Sequence, residues 1–151
     1  MSKAGIVAVL LLSFVGVANA ATQCYRADEI AADLAVRYQE KLMVLSDSCG
    51  NDSYTLFVRR NASLISLYQE QMIDYFRRSD GHRAESAFDR FMTRLANEMS
   101  LDVGRQRLAT VCSQSAQFFA QALAFTRDDF RRYVAAQAAT VRKRYPLCAA
   151  D

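Results

Sequence analysis

Four thiols carry most of the chemistry this sequence can offer: Cys24, Cys49, Cys112 and Cys148. None stands in a Cys-x-x-Cys pair, so the redox-active dithiol pattern and zinc-ribbon spacing are both missing. An even number of widely spaced cysteines reads instead as two disulfides in a chain that meets an oxidising compartment. The other reactive types are sparse. His82 is the only histidine and falls at a turn, whereas a nucleophile relay or a multi-His metal site needs partners the chain lacks. Adjacent acids occur at Asp28/Glu29 and Asp128/Asp129, where the start of a helix attracts carboxylates for structural reasons alone. Gly50, Gly81 and Gly104 are isolated, so no phosphate-cradling loop is encoded. Met43, Met72, Met92 and Met99 lack Met-x-x-Met spacing and read as core filler rather than copper ligands. No catalytic, cofactor-binding or metal-ligating residue is therefore assigned, and no cofactor is implied. Glu40, Arg94 and Glu98 are one scattered acid–arginine set that folding could still assemble into a site.

Positioning any of these groups falls to helices. One proline and five glycines occur in 151 residues, and apolar residues recur at helical spacing after residue 26. Five amphipathic helices are predicted. The first runs from about Ala27 to Ser46, with Ile30, Leu34, Tyr38, Leu42 and Leu45 on one stripe. The second runs from Ser53, read as its N-cap, to Arg78, and the third from His82 to Met99, with a break at Ser100–Gly104. The fourth spans Arg105 to Phe125. Thr126 caps the fifth, with Asp128 and Asp129 in its first turn, and Pro146 ends it. Asn97, a poor helix former, is expected to cap or tie down the Ser100–Gly104 break. Asn51-Asp52-Ser53 and Asn61-Ala62-Ser63 match the glycosylation tripeptide, to which no meaning is attached.

The start of the chain has its own logic. Lys3 precedes an apolar run from Gly5 to Val17, and Ala18-Asn19-Ala20 gives the small-x-small pattern of a cleavage site. The run is short for a membrane span, so residues 1–20 read as a signal peptide and 21–151 as a single helical domain. The expected location is periplasmic or secreted, with no membrane span after cleavage. Ala21-Thr22-Gln23 does not fit a lipid-attachment signal ahead of Cys24. Losing the leader removes only Lys3, leaving 18 basic against 16 acidic side chains. That near-balance gives no strong field for nucleic acid or an anionic membrane. Arginine outnumbers lysine sixteen to three. The paired arginines, such as Arg59/Arg60 and Arg131/Arg132, diverge around a helix and read as solvated faces.

Four cysteines allow three pairings. Cys112 lies on the apolar stripe of the fourth helix and Cys49 in the turn at one end of the core, which favours Cys49–Cys112. Cys24 and Cys148 flank the first and last helices, and joining them would pin both termini. If all five helices alternate strictly, however, those two start at opposite ends, so one joint, expected at Ser100–Gly104, must fall short of a full reversal.

Three stretches carry a resemblance: Leu42-Met43-Val44 through Cys49-Gly50; Tyr54-x-x-Phe57-Val58; and Thr93-x-Leu95-Ala96-Asn97-Glu98 with Ser100 and Cys112. Over about Val36 to Phe119 the chain is similar to a group of small exported four-cysteine helical bacterial proteins of unassigned function. The resemblance implies an exported helical domain and a Cys49–Cys112 bridge. It implies no activity.

The expectation is thus an all-α compact bundle of about five helices stapled by two disulfides. Its first functional reading is a non-enzymatic binding or structural module of the cell envelope, whose partner is an envelope protein or a small ligand. A second is a carrier of a small amphiphile in a core pocket ringed by Tyr38, Tyr54, Tyr68, Tyr75 and Tyr133. A third is an enzyme built on scattered acids and arginine.

Overall fold

The computed structural model describes residues 23–149, so the leader lies outside the described residues. They form α1 (Ala27–Cys49), α2 (Ser53–Asp80), α3 (Ala84–Gly104), α4 (Leu108–Ala124) and α5 (Arg127–Val141), with short 3-10 turns at Gly81–Arg83 and Arg142–Arg144. No helix among them is long and apolar enough to cross a membrane.

α1 is the centre of the bundle. It packs against α2, α3, α4 and α5 alike, and thirteen of its 23 residues are buried. Glu29, Asp33, Gln39, Glu40 and Ser46 are buried along with the apolar stripe. A single amphipathic face would have left those polar groups in water. The helix ends where Gly50 adopts a left-handed conformation at φ 62°. That geometry lets the Asn51 N–H reach the Ser46 carbonyl at 3.0 Å and so satisfies the last turn.

α2 is capped one residue earlier than expected. Ser53 is not the cap. Asp52 holds that position, and the free N–H groups of Ser53 and Tyr54 go to the Asn51 Oδ1 at 3.0 Å and the Ser46 Oγ at 3.1 Å. Gly81, at φ 56°, ends α2.

The expected break at Ser100–Gly104 is absent: α3 is continuous to Gly104. Met99 and Val103 still face the seam with α1 and α4, so packing holds the last turn helical despite the weak propensity of Asp102, Val103 and Gly104. Asn97 is exposed on a continuous helix and has no break to cap. α4 begins later than expected, at Leu108, after a short irregular link.

The straight joint lies elsewhere. Cys112 of α4 is bonded to Cys49 at the C-terminal end of α1. Phe118 and Phe125 of α4's second half and beyond, then Phe130 and Tyr133 of α5, ring Tyr38 in the middle of α1, at centroid separations of 4.8, 6.0, 5.3 and 5.6 Å. Tyr145 and Cys148 arrive at Asp33 and Cys24, near the N-terminal end of α1. α4 and α5 therefore run in one direction, antiparallel to α1, and share one place in the bundle. The joint at Phe125–Thr126 continues the path. Thr126 caps α5 as expected, its Oγ1 accepting the Asp129 N–H at 3.2 Å.

Candidate functional site

The densest cluster of ionisable and aromatic side chains lies where the two ends of the described chain meet. Cys24 and Cys148 are joined there. A two-residue bridge reinforces the bond: the Tyr25 N–H donates to the Pro146 carbonyl at 2.7 Å and the Cys148 N–H to the Tyr25 carbonyl at 3.1 Å. This clamp delivers Tyr25, next to Cys24 in sequence, and Tyr145, three residues before Cys148, onto the N-terminal half of α1.

Asp33 is the focus. It is fully buried, and its Oδ2 accepts from the Tyr145 hydroxyl at 2.5 Å and the Arg37 Nε at 2.8 Å. Its Oδ1 has no hydrogen-bond partner among the described residues. Burial works against the Arg37 charge, but the Asp33 carboxylate outweighs it and holds that guanidinium above its ordinary pKa. The Tyr145 hydroxyl is pushed well up, first by burial and then by the charge it faces on Asp33. Tyr25 is pushed up further, by burial first and then by Tyr75 and Asp33. The rings lock together: Tyr25 stacks on Tyr75 at 4.2 Å and meets Tyr145 edge-on at 4.8 Å. Burial raises Tyr75 as well, so all three phenols stay protonated at any ordinary pH.

A second ion pair abuts the first. Arg78, from the end of α2, grips both oxygens of the buried Glu29 and donates to the Cys24 carbonyl at 2.9 Å. The Arg26 N–H also donates to the Glu29 Oε2, at 2.7 Å. Burial alone would raise the Glu29 carboxyl, but these bonds hold it below its usual range. Beside Arg78 a surface cavity of about 550 Å³ opens, lined by Tyr25, Arg26, Arg78, Arg142, Leu147 and the Cys24–Cys148 staple.

Chemically, the buried part is a tie rather than a reaction centre. One oxygen of Asp33 and both of Glu29 are taken by donors, of which Tyr145 and Arg78 come from distant parts of the chain, and the Asp33 side chain is fully buried. What it accomplishes is to fix the termini and α2 onto α1.

The other sequence candidates fall elsewhere. Arg94 and Glu98 share a shallow depression on the outer face of α3 with Asn97, but buried Glu40 does not line it, so the three do not assemble. Glu40 has its carboxyl pushed up by burial. His82 is exposed in the 3-10 turn before α3. The Asp128 and Asp129 pair stays at the start of α5. Asn61 is fully buried, its Nδ2 donating to the Phe57 carbonyl at 3.0 Å. Among the described residues no group of His, Cys, Asp and Glu side chains has metal-ligand spacing. Of the tyrosines expected around a core pocket, Tyr38, Tyr68, Tyr75 and Tyr133 pack on neighbouring rings, Tyr38 against Phe57, Phe118, Phe130 and Tyr133, while Tyr54 lines a cavity that opens at the surface. The cavities described open at the surface, and Tyr38 lines none of them.

Sequence reasoning overlooked Asp33, Arg37 and the Tyr25–Tyr75–Tyr145 set. The available signal was the placement of Glu29, Asp33 and Glu40 on a helix whose apolar positions already point several ways. No family model, curated protein or solved structure matches the chain.

Proposed function

We propose that this protein works outside the cytosol as a disulfide-stapled, non-enzymatic helical module of the cell envelope that binds a partner or ligand at its surface. The observation that carries the reading is the commitment of all four cysteines to two bonds, one of them closing the described chain end to end. Such bonds persist in oxidising compartments and are rare in the cytosol. A cleavable leader at residues 1–20 supplies the route. The binding half of the reading rests on where polar chemistry is spent: the buried acids Asp33 and Glu29 hold the scaffold together, and the arginines left over face the surface.

The test is expression of the full chain in a bacterium with an intact periplasm, followed by recovery of the envelope fraction. Intact-mass measurement is expected to show a chain beginning at Ala21 and lacking the four thiol hydrogens. A chain that keeps its leader, or that reacts with a thiol reagent without prior reduction, overturns the reading.

A further inference from the structure

The cavity at the Cys24–Cys148 clamp differs from the others in how its charge is arranged. Three arginines line it from three separate elements: Arg26 before α1, Arg78 at the end of α2 and Arg142 after α5. Arg78 is held rigidly by Glu29 and the Cys24 carbonyl, and its charge is matched there. Arg26 and Arg142 form no ion pair among the described residues. Lys143 and Arg144 follow Arg142 directly in sequence, whereas among the described residues the acids at this end, Asp33 and Glu29, are already paired with Arg37 and Arg78. Asp80, the next nearest acid in sequence to Arg78, is turned toward Arg90 at 4.0 Å. Arg26 and Ala27 also stand at the positive end of the 23-residue helix α1. The wall is not uniformly polar. Leu147 is 44% exposed beside the disulfide, and the Tyr25 ring is fixed by its stack on Tyr75.

We infer that this cavity is a binding site for a small organic oxyanion, its phosphate or carboxylate held between Arg26 and Arg142 and its apolar body resting on Leu147, Tyr25 and the disulfide. Guanidinium forks suit the paired oxygens of either group. The volume matches that of a small-molecule site, and a few placed charges on a partly apolar wall are what such sites use for orientation. The inference deepens the binding-module reading by naming the ligand class and the surface. Arg26 and Arg142 come from far apart in the sequence, and the staple, the Tyr25–Pro146 and Cys148–Tyr25 backbone bonds and the Tyr145–Asp33 tie together hold their segments side by side.

The experiment uses the oxidised mature chain, with phenyl phosphate, benzoate and inorganic phosphate as separate probes, followed by backbone NMR shifts and calorimetry. Phenyl phosphate or benzoate is expected to saturate, to shift the amides of Tyr25, Arg26, Arg142 and Leu147, and to bind more tightly than inorganic phosphate. The double change Arg26→Gln/Arg142→Gln is expected to weaken that binding by about tenfold or more, the effect of losing charge-assisted hydrogen bonds. The same change at the exposed pair Arg105→Gln/Arg107→Gln is expected to leave it unaltered. Arg26→Lys/Arg142→Lys keeps the charge without the fork and provides a second reading should the Gln variant unfold, with weakening again expected. Absence of saturable binding, or equal weakening in the Arg105/Arg107 control, overturns the inference. Thiol content and intact mass of the same sample judge the stapled-module reading separately.

Discussion

The hydroxyl of Tyr145 donates to the buried Oδ2 of Asp33 at 2.5 Å, across 112 positions of sequence. It is the only polar tie between the C-terminal segment and the interior of α1 among the side-chain bonds described, and it lies one short turn of chain from the Cys148 staple. Removing the hydroxyl alone is therefore informative. Tyr145→Phe keeps the ring against Tyr25 but leaves Asp33 with Arg37 as its sole donor. The expected cost is about 1.5–3 kcal/mol, typical of a hydrogen bond to a charged group. Thermal unfolding followed by circular dichroism checks it, and an unchanged melting curve counts against the tie.

The two buried glutamates predict opposite responses to pH. Glu29 is held below its usual range in the fold, so its stabilising contribution is present above about pH 4.5 and is lost as pH falls through the folded-state value. Glu29→Gln is expected to destabilise at pH 7 by roughly 1–3 kcal/mol and by much less at pH 3. Glu40 is held above its usual range by burial, so ionising it works against folding as pH rises past about 4.5. Glu40→Gln is expected to stabilise at pH 7 and to be near neutral at pH 3. Urea titrations of both variants at the two pH values decide the matter, and parallel behaviour of the pair rejects this account.

The staples close long loops. Cys24–Cys148 spans 124 positions and Cys49–Cys112 spans 63. Restricting the unfolded chain in this way is worth about 5 and about 4 kcal/mol by the loop-entropy account. Replacing each pair by alanine is expected to lower stability in that order. The Cys24→Ala/Cys148→Ala variant is further expected to lose near-ultraviolet tyrosine signal as Tyr25 and Tyr145 leave Asp33 and Tyr75. The other pair of replacements should retain that signal.

At the straight joint, Thr126 and Asp129 bond each other's backbone N–H groups, at 3.2 Å in both directions. Thr126→Ala is expected to cost about 1 kcal/mol, seen as roughly a 3–5 °C fall in melting temperature. A shift no larger than that of an exposed Thr140→Ala control would remove the cap from the account.

Much of this architecture could be read from spacing. The five helices and the Thr126 cap follow from local pattern, which depends on neighbours three and four residues away. What could not be read depends on long-range packing. Stripe analysis sends Glu29, Asp33 and Glu40 outward, because it presumes a helix with one wet face; α1 has none over most of its length. Tyr25, Tyr75 and Tyr145 share no sequence neighbourhood, so nothing marks them as one stack. The direction of α5 was hidden for the same reason: Ser100–Gly104 carries the weak propensity of a breaker, yet Met99 and Val103 keep it helical, while Phe125–Thr126 looks like an ordinary reversal and is not one.

Because α4 and α5 lie end to end, the bond nearest the middle of the chain is enclosed by the one at its extremities. A polypeptide that meets oxidant from its amino end presents Cys24 and Cys49 first, and joining thiols in order of appearance yields the wrong pairs. The native linkage must then be reached by reshuffling, or Cys24 must stay reduced until the final helix has docked. Along the first of these routes maturation is expected to need a disulfide isomerase as well as an oxidant, where a chain with consecutive bonds would need only the oxidant.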